Sequence, residues 1–409
     1  MAVNFGAFVT GHSVPLDDLE PLADLFRGAR VVAIGENAHM ISEFYLFRHR
    51  LLRFLTERCG FTVFAMESGF SEGLAVDAWV RGGPGDVRAV ADDHITYRMG
   101  RCPEMREQLE WMREAKPPVR FAGLDVPGNT ASPLPAIEHV AGFLGRTDPD
   151  ALPLVDALSA RMQKYAGEHS MPAYRAYAEL DPADRDAMTA ALAELAARFD
   201  ALETEYTRAD GAATYRTVRH ELRLACWLDQ ALRSYAARAG GDTSHPKVSA
   251  RDRGMAETVF WLLDELGPDA RIVIGAHNNH IQRTPVTTPQ FALSGMGHHL
   301  ATRLGEDYLT VAVTATAGRT VTHRLDPAAP GGVATVGAEL PPPQPGSVEA
   351  AFTGTDTARL IDLRRARGLV PGPDSIRLLD GFQATPVLDA YDLLACLPTI
   401  NPSEQAGGA

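Results

Sequence analysis

The sequence predicts an α/β protein, in which a mostly parallel central sheet is flanked by helices and an α-helical insertion covers a cleft at one edge of the sheet. Short apolar runs rich in Val, Ile and Phe alternate with helical patterns. This alternation is typical of βαβ units, whose parallel strands are buried on both faces. The stretch 134–244 instead has helical periodicity without strand-like runs. We therefore predict an α/β core domain at 1–133 and 245–409, with residues 134–244 forming a helical lid domain.

The core elements follow in chain order. The predicted strands are Arg30–Gly35, Phe61–Met66, Val119–Leu124, Arg271–Gly275 and Tyr308–Ala315, and the predicted helices are Ser42–Arg58, Leu74–Val80, Met105–Glu114 and Gly254–Leu266. Two short segments, 358–362 and 390–397, close the chain. The stretch 327–347 is rich in Pro and Gly, which predicts a loop or flap rather than a core element.

Charge and composition exclude several classes of protein. The 39 basic and 52 acidic residues give a net charge of −13, without a basic footprint for nucleic acid or for an anionic membrane. The four cysteines lie far apart and form no disulfide or zinc pattern. The first twenty residues lack the basic and apolar regions of a signal peptide, and no eighteen apolar residues run together. We expect a cytoplasmic protein with a small-molecule partner.

Polar side chains follow four of the predicted strands. Glu36 ends the first, with His39 three residues later, and Glu67 and Asp125 end the next two. The fourth runs into the segment 277–280, His-Asn-Asn-His. Open α/β sheets bind ligands beyond the carboxyl ends of their strands. If these strands are neighbours, carboxylates and imidazoles converge in one pocket, and mutual pKa shifts there suit general acid–base catalysis.

Arginines near these motifs complete the candidate site. Arg48 and Arg251 can hold an anionic group or pair with the surplus carboxylates, although Arg48 also fits a solvated helix face. Asp252 precedes a helical pattern, and we interpret it as an N-cap. The histidines at 49, 139, 169 and 220 belong to no such constellation, and we expect them to be ordinary surface or core residues.

Six motifs stand in order along the chain: Ile34–His39, Gly60–Glu67, Gly123–Asp125, Arg251–Glu257, Ala276–Ile281 and Met296–Leu300. Together they resemble the erythromycin esterase family, and the resemblance spans roughly residues 20 to 400. It implies an α/β core with a helical domain over a deep active-site cleft. It also implies hydrolysis of a macrolide lactone without a serine nucleophile.

The resemblance assigns roles to particular residues. His39 becomes the catalytic base and Glu67 its supporting carboxylate, while Glu36, His277 and Arg48 fall on further pocket positions. We expect Glu36 and His277 to position water or protonate the leaving oxygen. The expected substrate-binding residues are Arg48, Asp125, Asn278, His280, Arg98 and Arg251. We expect neither a cofactor nor a metal.

Two departures from the family pattern concern the pocket. Met40 replaces the small residue that usually follows the motif histidine, which narrows the space beside His39. The segment 95–101 carries Arg98 and Arg101 where the family tends to have an aromatic segment with tryptophan. These departures favour a substrate that is smaller than a macrolide or bears a carboxylate.

Other interpretations of the same residues remain open. The segment 69–73 is a literal G-x-S-x-G, which offers Ser71, Asp125 and His277 as a serine triad. The Glu36/His39 and His277/His280 pairs offer ligands for zinc or manganese.

The prediction is a hydrolase that opens an ester or lactone of a secondary metabolite with water activated by His39. The first alternative is a biosynthetic tailoring enzyme that uses the same residues for elimination, cyclisation or isomerisation. The second is a non-catalytic antibiotic-binding protein.

Overall fold

A central sheet organises the molecule, and its strands are those that the apolar runs predict. The computed structural model describes residues 4–242, 248–287 and 292–404. Within these ranges the strands are β1 (Val14–Pro15), β2 (Val31–Ile34), β3 (Val63–Gly69), β4 (Arg120–Asp125), β5 (Ile272–Gly275), β6 (Val286–Thr287), β7 (Ala292–Leu293), β8 (Tyr308–Leu325), β9 (Val333–Glu339), β10 (Arg359–Asp362), β11 (Ser375–Leu378), β12 (Gly381–Ala384) and β13 (Leu393–Ile400).

Helices fill most of the remaining described chain. They are α1 (Phe5–His12), α2 (Ala23–Arg27), α3 (Ser42–Cys59), α4 (Phe70–Val80), α5 (Val87–His94), α6 (Pro103–Glu114), α7 (Leu134–Thr147), α8 (Leu152–Met162), α9 (Ser170–Glu179), α10 (Pro182–Ala201), α11 (Glu203–Asp210), α12 (Ala212–Ala239), α13 (Ala250–Leu266), α14 (Asn278–Ile281), α15 (Met296–Leu304) and α16 (Val387–Ala390).

The sheet is mostly parallel, as predicted. Its strand order is β1-β10-β13-β8-β2-β5-β3-β4, and every pair from β13 to β4 is parallel. The antiparallel pairs in the described part of this sheet are β1–β10, β10–β13 and β8–β9. All residues of β2 and β5 are buried, because apolar layers cover both faces of the sheet. The four strands with polar ends, β2, β5, β3 and β4, are neighbours.

Helices α7–α12 pack around an apolar cluster of their own, which also includes Phe70 of α4 and Val126 after β4. This is the packing expected of the predicted helical insertion. The division of the chain into a core domain and a lid domain stays a prediction. The C-terminal boundary of the predicted lid, at 244/245, lies outside the described residues. No helix among the described residues has the length and apolar character needed to cross a membrane.

Several predicted elements were wrong in extent; β8, for example, continues to Leu325 rather than ending at Ala315. Helix α4 begins at Phe70 rather than Leu74, and Gly73 lets it lie close on β4, since a Cβ there would be 2.6 Å from the Gly123 nitrogen. The stretch 327–347 is not a loop throughout, because β9 pairs with the far end of β8 as a hairpin. The prolines of this stretch and all its glycines except Gly337 flank β9, and the strand itself contains the β-branched residues Val333, Thr335 and Val336.

Candidate active site

The register of the sheet brings the predicted residues to one edge. Ile34 of β2 and Met66 of β3 both pair with Gly275 of β5, and Met66 also pairs with Gly123 of β4. The residues after these positions therefore emerge side by side. The register between β3 and β4 shifts after Met66, where Glu67 stands. Such irregularities often re-aim a side chain beside an active site.

His39 is paired with Glu36, and this pairing differs from the expected one. Nδ1 of His39 lies 2.6 Å from Oε1 of Glu36, whereas Nε2 lies 3.7 Å from Oε1 of Glu67. The carboxylate hydrogen-bonded to the imidazole is therefore Glu36, whereas Glu67, the expected supporting carboxylate, faces the other ring nitrogen as an ion-pair partner. Glu36 and His39 lie three residues apart in the loop between β2 and α3, and the loop folds so that their side chains meet.

The electrostatic environment of His39 favours its charged form. Burial lowers the pKa of His39, but the neighbouring carboxylates Glu67 and Glu36 outweigh burial and raise it above its ordinary value of 6.5. The side chain remains 21% exposed and lines a cavity. An imidazole of this kind can accept a proton at Nε2 while Glu36 holds its other nitrogen.

Glu67 lies where several charges meet. Its Oε1 accepts hydrogen bonds from Arg251 (2.7 Å) and lies 3.2 Å from Nε2 of His280, and its Oε2 accepts from the backbone nitrogen of His277 (2.8 Å). Burial alone would raise the pKa of Glu67, but His280, His39 and Arg251 hold it well below its usual range. Glu67 is therefore an anion fixed from several sides.

His280 lies between two carboxylates. Its Nδ1 is 2.6 Å from Oδ1 of Asp252, and its Nε2 faces Glu67. Burial would lower the pKa of His280, but Asp252 and Glu67 raise it to about 10, so the ring is an imidazolium at neutral pH. Asp252 also accepts from the backbone nitrogen of Met296 (3.0 Å). Our interpretation of Asp252 as an N-cap was wrong, since its carboxylate positions His280.

His277 differs from its neighbour in the same motif. Its Nδ1 accepts from the backbone nitrogen of Asn279 (3.1 Å), which leaves Nε2 to donate to the carbonyl of Asn37 (3.0 Å). Burial, together with the charges of His39 and His280, lowers its pKa to about 3. Both ring nitrogens of His277 therefore bind backbone, and the ring joins the loop after β2 to the loop after β5. We expected His277 to protonate the leaving oxygen, but its Nε2 proton is already bound by the carbonyl of Asn37.

Arg251 contacts two of these carboxylates and also lines a cavity. Its guanidinium donates to Asp125 (2.6 Å) as well as to Glu67, and Asp125 accepts in addition from the hydroxyl of Tyr97 (3.0 Å). Asp125 is fully buried and contacts two residues that line the cavity, Arg251 and Tyr97. The expected substrate-binding role therefore fits Arg251 and not Asp125, which positions it.

Two further predicted contacts lie away from the cavity. Arg48 is 2% exposed, and its guanidinium lies 3.6 Å from Oε2 of Glu36 and donates to Gln108 (3.3 Å). Asn278 is 1% exposed and uses both ends of its amide on the backbone of Val313. We expected Arg48 and Asn278 to contact the substrate, and this expectation was wrong. Arg48 forms an ion pair with Glu36, and Asn278 joins α14 to β8.

We call the set formed by Glu36, His39, Glu67, Asp125, Arg251 and His280 the strand-end cluster. It lies at a cavity of about 570 Å³. Beyond the strand-end cluster, the cavity has an outer wall, which we define by Arg98, Asn129, Glu168, His169, His323 and Thr335. Met40 and Tyr97 also line the cavity, whereas Arg101 is not one of the lining residues.

The outer wall comes from segments far apart in sequence. Glu168 and His169 precede α9 in the predicted insertion, and His323 stands on the β8–β9 hairpin. The tip of the hairpin meets the insertion closely, because a Cβ on Gly331 would lie 3.2 Å from Cβ of Glu168. Sequence analysis missed His323 and took His169 for an ordinary residue. Neither has a neighbouring motif, so nothing local could have marked them.

Strained backbone concentrates at this site. Among the described residues, the non-glycine positions with positive φ are Met40, Tyr97, Arg98, Asn129, Thr130 and Leu379. Four of these six line the cavity. The amide oxygen of Asn129 accepts from the backbone nitrogen of Tyr97 (2.6 Å), which ties two of the strained turns together. Strain of this kind is typical of sites whose geometry the surrounding structure holds fixed.

The serine triad is not assembled. Strand β3 continues past its predicted end at Met66 and runs directly into Gly69. Ser71, however, lies in the first turn of α4, where it is 2% exposed and its Oγ is unpaired. It lines a different cavity, between α4, α7 and α12. Asp125 and His277 are held by other partners, as described above. No group of three or more His, Cys, Asp or Glu side chains in the described ranges is arranged to hold a metal ion.

Comparison with known proteins agrees with this architecture. Residues 56–399 match the family model described as Erythromycin esterase. The chain is 32% identical over 344 residues to erythromycin esterase type II of Escherichia coli, covering 83% of this chain and 81% of that protein. It is 27% identical to erythromycin esterase type I of Escherichia coli, covering 74% of each.

A solved structure shares the fold. A mutant of the erythromycin esterase EreC in its open conformation superposes with a TM-score of 0.84 at 23% identity, covering 96% of each chain. The family-model match begins after Glu36 and His39.

Proposed function

The chain belongs to the erythromycin esterase family and is a hydrolase that acts on esters, and from this premise we propose that it opens an ester or lactone with a water molecule activated by His39. The observation that supports this most directly is the His39–Glu36 pair, with Nδ1 held at 2.6 Å and the ring lining the cavity. A base must present one free nitrogen while the other is fixed, and this pair meets that requirement.

In this proposal Nε2 of His39 takes a proton from water, and the resulting hydroxide attacks the carbonyl carbon. The carbonyl oxygen becomes an oxyanion, which Arg251 is placed to stabilise from the wall of the cavity. His39, now an imidazolium stabilised by Glu36 and Glu67, returns its proton to the leaving alkoxide as the C–O bond breaks. The products are a carboxylic acid and an alcohol, or a hydroxy acid from a lactone.

The cavity wall supports a substrate that is polar and modest in size. A volume of about 570 Å³ lies in the range of ordinary small-molecule pockets. Met40 is 5% exposed and lines the cavity beside His39. Arg98 lies 3.4 Å from Glu168, and this exposed ion pair partly offsets its charge. We propose an uncharged, oxygen-rich ester or lactone of a secondary metabolite as substrate.

Reaction in ¹⁸O-labelled water tests the chemistry. We expect one labelled oxygen in the carboxyl group of the product, with smaller lactones opened faster than erythromycin. An unlabelled isomeric or dehydrated product would instead support the tailoring enzyme. Stoichiometric binding without any product would support the antibiotic-binding protein. Faster turnover of erythromycin than of small lactones would contradict the proposed substrate size.

A further inference from the structure

His323 shares the catalytic cavity with His39 but belongs to a separate part of the fold. It lies on β8 beyond the predicted end of that strand, where β8 pairs with β9, and its register partner is Thr335. Both His323 and Thr335 line the cavity. The ring of His323 packs edge-on against that of His169, with centroids 5.8 Å apart. The hairpin therefore brings an imidazole to the outer wall of the pocket.

One nitrogen of this imidazole is held, and the other is free. Nδ1 of His323 lies 3.3 Å from the hydroxyl oxygen of Thr335. Within the part of the chain that the structure describes, Nε2 has no hydrogen-bond partner. Burial, with the nearby His169 and His39, lowers the pKa of His323 to about 4, so the ring is neutral near pH 7. When the Thr335 hydroxyl donates to Nδ1, the ring proton stands on Nε2.

We propose that His323 is a substrate-binding residue whose Nε2–H donates a hydrogen bond to an acceptor oxygen of the substrate near the reacting carbonyl. This inference rests on the proposed ester hydrolysis and adds a specificity determinant to it. His323 is partly exposed, so water can reach its Nε2–H before a substrate binds. A bound substrate that covers this donor without offering an acceptor costs more than a lost contact, because the donor has then given up its water. His323 therefore favours esters with a second oxygen close to the carbonyl over their hydrocarbon analogues.

Two esters of the same shape test this preference. In p-nitrophenyl methoxyacetate an ether oxygen replaces one methylene of p-nitrophenyl butyrate, and release of nitrophenol reports the turnover of both. The measured quantity is the ratio of kcat/KM for methoxyacetate to kcat/KM for butyrate. Each variant's ratio is compared with that of the wild-type protein, which removes the difference in intrinsic reactivity between the two esters.

We expect His323→Phe to lower this ratio about tenfold, mainly through KM for methoxyacetate. His323→Gln keeps a side-chain N–H donor and should retain the ratio within about twofold of the wild-type value. Thr322→Val, on the neighbouring position of β8 and outside the set of lining residues, is the matched control for the hairpin and should leave the ratio unchanged. Thermal unfolding identifies any variant that loses the fold.

An unchanged ratio in His323→Phe would overturn the inference, as would an equal loss in His323→Gln. If the wild-type protein turns over neither ester, the hydrolase proposal fails for these substrates, and the same pair is then measured as a ratio of binding constants by calorimetry. A binding ratio that falls in His323→Phe and persists in His323→Gln supports His323 independently of catalysis. A binding ratio unchanged in both contradicts it.

Discussion

The strand-end cluster and the outer wall border the same cavity, yet they are built in different ways. In the strand-end cluster the groups are densely paired. Glu67, for example, has four partners: Arg251, His280, His39 and the backbone nitrogen of His277. The outer wall has sparser pairing, such as the 3.4 Å contact of Arg98 with Glu168 and the free nitrogen of His323. Buried charges must be neutralised by partners, whereas partly exposed polar groups are satisfied by water or ligand.

This difference separates two tasks. A densely paired cluster holds each group in one protonation state and one orientation, which acid–base chemistry requires. A sparsely paired wall leaves donors and acceptors free for a substrate, and its composition can change without unbalancing the cluster. We therefore expect substitutions in the strand-end cluster to affect rate and stability, and substitutions in the outer wall to affect the choice of substrate.

The largest effect should come from His39→Ala. Loss of a general base typically lowers the rate about 10²–10⁴-fold, while the cavity walls that bind substrate stay in place. The measurement is kcat on the best ester found, together with the binding affinity for that ester. Ser71→Ala is the control, because this serine lies in another cavity, and it should retain the wild-type rate. A residual rate above roughly a tenth in His39→Ala, or a large loss in Ser71→Ala, would show that the base is assigned wrongly.

A smaller but still large effect should appear in stability. His280→Leu removes the imidazolium between Asp252 and Glu67 and leaves buried charge uncompensated, which costs about 3–5 kcal/mol of unfolding free energy. His169→Leu, in the outer wall, loses a helix cap to the backbone nitrogen of Met171 and should cost only about 1 kcal/mol. Chemical denaturation measures both. Equal losses would erase the distinction between the two regions.

The alkaline side of the stability curve gives a second measurement of His280. Its pKa is 6.5 in the unfolded chain and about 10 in the folded protein, so the folded state binds more protons between these values. The stabilisation is complete below pH 6.5 and is lost as the pH rises towards 10. The wild-type protein should therefore weaken over this window more steeply than His280→Leu. Parallel curves would mean that His280 is not held as an imidazolium.

The smallest effect concerns the pH profile of the reaction. His39 acts as a base only when neutral, and Glu67 and Glu36 raise its pKa, so kcat/KM should fall on the acid side with a midpoint above 6.5. Glu36→Gln removes one of these carboxylates and should move the midpoint to lower pH while reducing kcat. His169→Leu should leave the midpoint in place. A midpoint that does not move in Glu36→Gln would exclude Glu36 as the partner of His39.

Local sequence patterns predicted the sheet and much of the strand-end cluster. Apolar runs marked the strands, and the polar residue after each run marked its carboxyl end, so Glu36, Glu67 and Asp125 could be found without a structure. The pairing of these groups could not. The spacing of Glu36 and His39 is compatible with several loop conformations. The register of β2 and of β3 against β5, which lies between them, brings both carboxylates to the same edge, and the folded loop decides which carboxylate meets which nitrogen.

The sequence by itself determined the fold class, because strand and helix periodicities are local properties of a chain that buries apolar surface. It also determined which residue types stand at the edge of the sheet. Only the tertiary structure decided that His277 binds backbone while His280 bridges two carboxylates, although the two lie three residues apart. It also brought His169 and His323 to the cavity from 154 residues apart in the chain. Protonation and proximity depend on neighbours that are distant in sequence, and those neighbours exist only once the chain has folded.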